Sequence, residues 1–371
     1  MSPAAKGPVV AVSGLDDVIA AETVLSHVDG AAGRLIVRGH DLEQLAGKRS
    51  FEAVLGLLWQ GFVSESVDEA DIRARLGEAR LTAFAAAAPV MPAVDGLSAV
   101  EALRLMLSAL PDAATVPAHH LAVAAVPVFA AAIARRHRGL APVAPDAGRG
   151  QADDMLRMIR GVSAPEAHVR ALETYLVTVA DHGLNASTFA ARVIGSTRAG
   201  LISAVVGGLC ALKGPLHGGA PGPVLDMLDA IGNPANIRPW LEHALTGGER
   251  LMGFGHRIYR VRDPRADVLK AVAGELGRGD NRIGFAEAVE AAALDILRER
   301  KAGRTLDTNV EFYTALVLEA LELPRESFTN VFAAGRVAGW TAHVLEQEKS
   351  GRMIRPQSLY VGPMPDQRDA A

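Results

Sequence analysis

The chain has 371 residues, with 38 Lys+Arg against 42 Asp+Glu and a formal net charge of −4. This near balance excludes the strongly basic surface of a general nucleic-acid binder. Hydrophobic residues make up 49% of the chain but aromatics only 5%, so the core must come mostly from Ala, Leu and Val, and a chain this long is expected to form two domains.

One cysteine, Cys210, leaves no internal disulfide and no cysteine-based metal site, which points to a reducing compartment. Residues 1–10 carry one Lys and no apolar core of signal-peptide length. The longest apolar run, 121–134, contains Pro127 and is too short to span a bilayer. A cytoplasmic protein that does not associate with membranes is expected.

Strand signals are few. Residues 34–38 alternate briefly between turn formers at Asp29-Gly30 and Gly39, and 359–361 is a second short extended candidate. Residues 50–60 carry Phe51, Val54, Leu55 and Leu58 at helical spacing, and 69–88 carry Ile72, Leu76 and Ala79 likewise. Residues 119–136 are apolar almost all round, which predicts a buried helix. The Gly- and Pro-rich stretch 138–154 reads as a loop. Helices are predicted at 164–180, 188–194 and 199–212, the last stopped by Gly214-Pro215. Pro221, Gly222 and Pro223 mark a candidate hinge. Further helices are predicted from Ala266, at 285–300, at 309–321 before Pro324, and at 326–349. The last is lined by Ala333, Ala334, Gly335, Ala338, Gly339 and Ala342, small residues that let helices approach closely. The pattern is all-α with minimal β-structure.

Most of the 11 histidines have no special punctuation: His27, His40, His119, His120, His137, His168, His243 and His343. Three lie at helix boundaries beside glycine, where a side chain can face a cleft: His182, His217 and His256. His256 opens a dense stretch. Gly253 and Gly255 flank Phe254, arginines follow at 257, 260 and 262, and Asp263-Pro264-Arg265 sets a turn. A histidine and fixed guanidiniums here suit a polyanionic ligand whose carbonyl must be polarised. No two of these three histidines have metal-ligand spacing on one helix, and there is no His-Glu-x-x-His, so no metal is expected. The sequence has neither a P-loop nor a complete dinucleotide fingerprint. The candidate acid partner is Glu311, between Val310 and Phe312, whose packing would desolvate the carboxylate and make it a base.

With these residues in view, the chain resembles the citrate synthase family over nearly its whole length. The resemblance runs through residues 14–23, Asp29-Gly30, Arg38-Gly39-His40-Asp41, 214–220, 253–265, 309–313, Gly335-Arg336 and Ile354-Arg355-Pro356. It implies an all-α fold with a large domain, 1–222 plus 325–371, and a small domain, 223–324. It implies condensation of acetyl-CoA with oxaloacetate to give citrate and free CoA, with the coenzyme A thioester as co-substrate and no tightly bound cofactor.

By the same resemblance, His217 holds the thioester carbonyl, His256 polarises the oxaloacetate carbonyl and Glu311 takes the methyl proton. His182, Arg265 and Arg336 bind oxaloacetate, and Arg355 comes from the other subunit of a homodimer. Leu251, Met252, Gly253, Phe254, Gly255 and Arg260 form the coenzyme A contact region.

 Within that region Gly253 and Gly255 let the backbone approach a ligand closely. The family's usual base is Asp in an Asn-Val-Asp-Phe-Tyr setting, whereas Glu311 stands here, after Leu306-Asp307-Thr308 in place of the usual aromatic-proline lead-in. The longer side chain moves the carboxylate by about 1 Å, a scale on which rates change by about 10²-fold unless the site compensates. The alternatives are a 2-methylcitrate synthase using propionyl-CoA, or a weakly catalytic paralogue that binds CoA or oxaloacetate.

Overall fold

The structure is a computed structural model and describes residues 13–15, 18–112, 114–218, 221–256, 258–259, 261–277, 281–300 and 306–365. Near the start, three short antiparallel strands, β1 (Ser26–Asp29), β2 (Arg34–Val37) and β3 (His40–Asp41), form one small sheet in the order β1-β2-β3. Helices account for most of the rest. They are α1 (Leu42–Leu45), α2 (Phe51–Trp59), α3 (Glu69–Ala87), α4 (Ala99–Ser108), α5 (Ala118–Arg136), α6 (Gln151–Arg160), α7 (Glu166–Val179) and α8 (Ala186–Ser196). There follow α9 (Leu201–Leu212), α10 (Pro221–Ile231), α11 (Ile237–Thr246), α12 (Pro264–Leu276), α13 (Asn281–Arg300), α14 (Val310–Ala320) and α15 (Phe328–Ser350). The all-α expectation holds.

Helix α5 is the centre of the core, packed against α3, α4, α6, α9 and α15. Its length and apolar composition would suffice to cross a membrane, but its side chains from His119 to Ala134 are buried against these neighbours. Helix α15 lies against α5, α7, α8 and α9. A Cβ on Gly335 would stand 2.5 Å from Val179 Cγ2, and one on Gly339 would stand 2.4 Å from the Ala180 carbonyl oxygen. The two glycines therefore set the distance between α15 and the end of α7, where His182 follows. Helices α10, α12 and α14 pack together, as do α11 and α13, and α12 and α14 also reach α7.

Three sequence readings need correction. The stretch 138–154 is not loop throughout, because α6 begins at Gln151. Gly150 caps it, Asp153 and Asp154 complement the helix dipole in the first turn, and buried Asp154 pairs with Arg80 at 3.0 Å. Residues 359–361 form no strand; Leu359, Tyr360 and Val361 are exposed. The helix expected from Ala266 starts at Pro264, since Asp263 is its N-cap and proline suits the first helical position. The hinge expected near 222 falls within the first turn of α10.

Candidate active site

The site is assembled from five places: the end of α7, the turn after α9, the glycine loop leading into α12, the first turn of α14, and the middle of α15. The glycine loop and the lead-in to α14 hold each other. Gly255 N–H donates to the Asp307 carbonyl at 2.7 Å, Asn309 N–H to the Gly253 carbonyl at 2.9 Å, and Asn309 Nδ2 to the Gly255 carbonyl at 2.9 Å. Gly253 has φ +86°, and a Cβ there would lie 2.9 Å from Phe312 Cβ. Glycine thus permits both the backbone conformation and the close approach of the loop to α14.

His256 sits inside this loop. Its Nδ1 accepts backbone N–H groups from Ile258 at 3.0 Å and Tyr259 at 3.1 Å. With Nδ1 so occupied, the neutral ring carries its proton on Nε2. That Nε2 lies 3.3 Å from Arg265 Nη2, which sets two donors side by side where one oxygen could accept from both. Burial, then the charge of Arg265, lowers the His256 pKa to about 4 and keeps the ring neutral.

His217 follows α9. Its Nε2 lies 2.8 Å from Ser187 Oγ and 3.3 Å from the Ser187 N–H, one of the free amides at the start of α8. An amide only donates, so Nε2 accepts and the proton resides on Nδ1, available to a carbonyl oxygen. Burial and then Arg336 lower this pKa to about 4. His182 is buried, with Nε2 3.2 Å from the Tyr259 hydroxyl. Burial, Arg265 and Arg336 push its pKa well below the ordinary value.

The two buried arginines differ. Arg265 is already paired: Nε and Nη2 reach the Asp263 carboxylate at 3.0 and 2.7 Å. Arg336 donates through Nε to the Val179 carbonyl at 2.7 Å and lies over the Phe332 ring. Among the described residues it has no carboxylate within ion-pair distance. Burial lowers its pKa to about 10, so it remains a cation at neutral pH. A buried cation without a carboxylate partner is a standing demand for an anionic ligand.

Glu311 completes the group. Its N–H is capped by Asn309 Oδ1 at 3.0 Å. It is half-buried by accessible surface yet closely surrounded by protein, as a group lining a narrow cleft would be. Burial raises its pKa to about 7, against the lowering influence of Arg265. The set can therefore bind an anion, donate from two neutral imidazoles and accept a proton near neutral pH.

The structure thus brings together His182, His217, His256, Arg265, Glu311 and Arg336. Leu251 is buried and Met252 and Phe254 are half-buried beside the same loop. Arg355 is exposed in the segment after α15 and is not part of this cluster within one chain. Arg260 lies outside the described residues.

Several supporting residues were not picked out from the sequence. Ser187 orients His217, and Asp263 both caps α12 and pairs with Arg265. His343, classed above as ordinary, contacts Asp181 at 3.2 Å through Nε2, while Arg192 Nη1 approaches its Nδ1 at 2.9 Å. Because Arg192 can only donate, His343 must donate to Asp181, the residue before His182. Glu290 accepts from Tyr313 and Thr308 hydroxyls at 2.6 Å each, from Lys270 at 2.9 Å and from Arg262 at 3.1 Å. Burial would raise the Glu290 pKa, but these donors hold it at about 2. It ties α12 and α13 to the chain on both sides of Glu311. Only Asp263, in its Asp-Pro turn, carried a local signal; the others are long-range pairs.

The family profile described as "Citrate synthase, C-terminal domain" matches residues 14–357. A putative citrate synthase 2 of Mycobacterium tuberculosis is 38% identical, over 95% of this chain and 94% of that one. The citrate synthase of Haloferax volcanii is 36% identical (94% and 95% covered), and a 2-methylcitrate synthase of M. tuberculosis is 35% identical (94% and 90% covered). Among solved structures, citrate synthase from Thermotoga maritima superposes with a TM-score of 0.82 at 33% identity, covering 95% of this chain and 96% of that one. The Thermoplasma acidophilum citrate synthase, solved as a ternary complex with carboxymethyl coenzyme A and oxaloacetate, gives 0.84 at 27% identity with the same coverage. This chain belongs to the citrate synthase family and is an acyltransferase-type condensing enzyme.

Proposed function

We propose that the chain condenses acetyl-CoA with oxaloacetate to give citrate and free CoA. The observation that carries this reading is the pairing of Glu311, poised near pH 7, with two neutral imidazoles around the uncompensated Arg336. A thioester methyl is a weak carbon acid, so a base and a donor to the forming enolate oxygen must act together. Glu311 takes the methyl proton while Nδ1–H of His217 holds the thioester oxygen. Nε2–H of His256 polarises the ketone of oxaloacetate, whose carboxylates are met by Arg336, Arg265 and His182. The enolate carbon then attacks that ketone, and water cleaves the resulting thioester to release CoA. The glycine loop from Leu251 to Gly255, with Arg260, contacts the coenzyme.

In this reading residues 1–222 and 325–371 form a large domain and 223–324 a small one, and closure between them excludes water from the thioester. The enzyme is a cytoplasmic homodimer in which Arg355 reaches the partner's site. The 2-methylcitrate synthase relative supports a second reading, in which propionyl-CoA is the preferred thioester. Thiol release with oxaloacetate and either acetyl-CoA or propionyl-CoA tests both. A higher kcat/KM with acetyl-CoA is expected. Preference for propionyl-CoA selects the second reading, and no release with either rejects both.

A further inference from the structure

Away from the active site, Glu65, in the connection between α2 and α3, faces His119 and His120 in the first turn of α5. Among the described residues this is the one group of three whose candidate ligand atoms all lie within 4.8 Å of one another. Adjacent residues on a helix point about 100° apart, yet these two rings lie with centroids 4.4 Å apart. They present different nitrogens to one carboxylate oxygen. Glu65 Oε1 is 2.7 Å from Nε2 of His119 and 4.0 Å from Nδ1 of His120.

The 2.7 Å contact with Glu65 accounts for Nε2 of His119, but hydrogen bonding does not account for His120, neither of whose nitrogens has a partner among the described residues. His120 is 1% exposed. Buried polar groups are nearly always satisfied, so a buried ring with both nitrogens unpartnered and Nδ1 4.0 Å from a carboxylate oxygen needs an explanation. Both rings pack against Trp59 in near-perpendicular contacts, and Trp59 Nε1 is tied to Thr341 at 3.0 Å, so the pair has a fixed backing.

We infer that Glu65, His119 and His120 form a site for one divalent transition-metal ion of the zinc type. Two imidazoles and a carboxylate are a donor set for such an ion, with a fourth position left to water. Tetrahedral ligands about 2.0–2.1 Å from a metal stand about 3.3 Å from each other, and the separations of 2.7 and 4.0 Å straddle that value. Small side-chain rotations therefore suffice. Two positive influences oppose a cation here: Arg75 on α3 and the start of α5. A bound ion would clip the connection between α2 and α3 to the central helix.

The test is titration of the chelator-stripped, full-length protein with Co(II) alone, read by its visible d–d absorption, followed by displacement with Zn(II). One ion per chain is expected. Glu65→Gln, which keeps the shape of a partly exposed side chain, and His119→Gln should each weaken binding by about tenfold or more, on the scale of losses at metal sites. A His217→Ala/His256→Ala double variant should bind as wild type, which separates this site from the active-site histidines. Unchanged far-UV circular dichroism shows that each variant is folded. The inference is overturned if wild type shows no saturable absorption. It is also overturned if folded Glu65→Gln binds as tightly as wild type, or if the double active-site variant loses the signal.

Discussion

Substituting Glu311 by Gln should make the substrate-free protein more stable and the enzyme inactive. In the fold the Glu311 pKa rises from 4.5 to about 7, chiefly through burial. A difference of that size corresponds to roughly 3 kcal/mol between the two protonation states. A carboxyl whose folded pKa is raised binds its proton more tightly in the native state than in the unfolded chain. Its cost to stability is absent below about pH 4.5, grows between pH 4.5 and 7, and is fully present above pH 7.

Gln has nearly the same shape and never ionises. Glu311→Gln should therefore gain about 1–3 kcal/mol at pH 8, the lower figures allowing for partial solvent access, and only about a quarter of that at pH 5. Urea unfolding of both proteins without substrates at pH 5 and pH 8 measures this difference. The same variant should lose about 10²–10⁴-fold in proton transfer. That loss is read by solvent deuterium exchange into the acetyl methyl in the presence of a non-reacting oxaloacetate analogue. Wild-type exchange by Glu311→Gln would refute the assignment of the base. An equal stability change at both pH values would refute the desolvation argument.

Four further outcomes are expected. Arg336→Ala should weaken oxaloacetate binding about 100-fold by calorimetry, the loss of a buried charge-assisted contact, while acyl-CoA binding stays within about threefold of wild type. The rate should fall as pH drops through about 7, because Glu311 must be ionised, whereas His256 and His217, at about 4, add no acid limb above pH 5; a kcat/KM profile flat from pH 5 to 8 would contradict this. Gly253→Ala should cost about 2 kcal/mol or more, through positive φ and the clash with Phe312, and lower activity by shifting α14; thermal unfolding and the thiol-release assay check both effects. Mixed Arg355→Ala and His256→Ala subunits should recover activity if sites are shared across a dimer, and no recovery after demonstrated subunit exchange would remove that arrangement.

The sequence by itself determined the helical class and the local chemistry. Helix spacing, proline and glycine stops, and the run from Gly253 to Arg265 are short-range features, and they place His256, Arg265 and Glu311 at element ends. Spacing and punctuation do not record which side chains meet across hundreds of residues. His343 looked ordinary until α15 placed it against Asp181, 162 positions away. Ser187 acquired a role only because the turn after α9 returns His217 to the start of α8. The same holds for charge. Arg265 and Arg336 are alike in sequence, but the fold pairs Arg265 with Asp263 and leaves Arg336 buried without a carboxylate partner among the described residues. Desolvation depends on everything packed around a group, so the Glu311 pKa near 7 and the neutral histidines were decided by the tertiary structure.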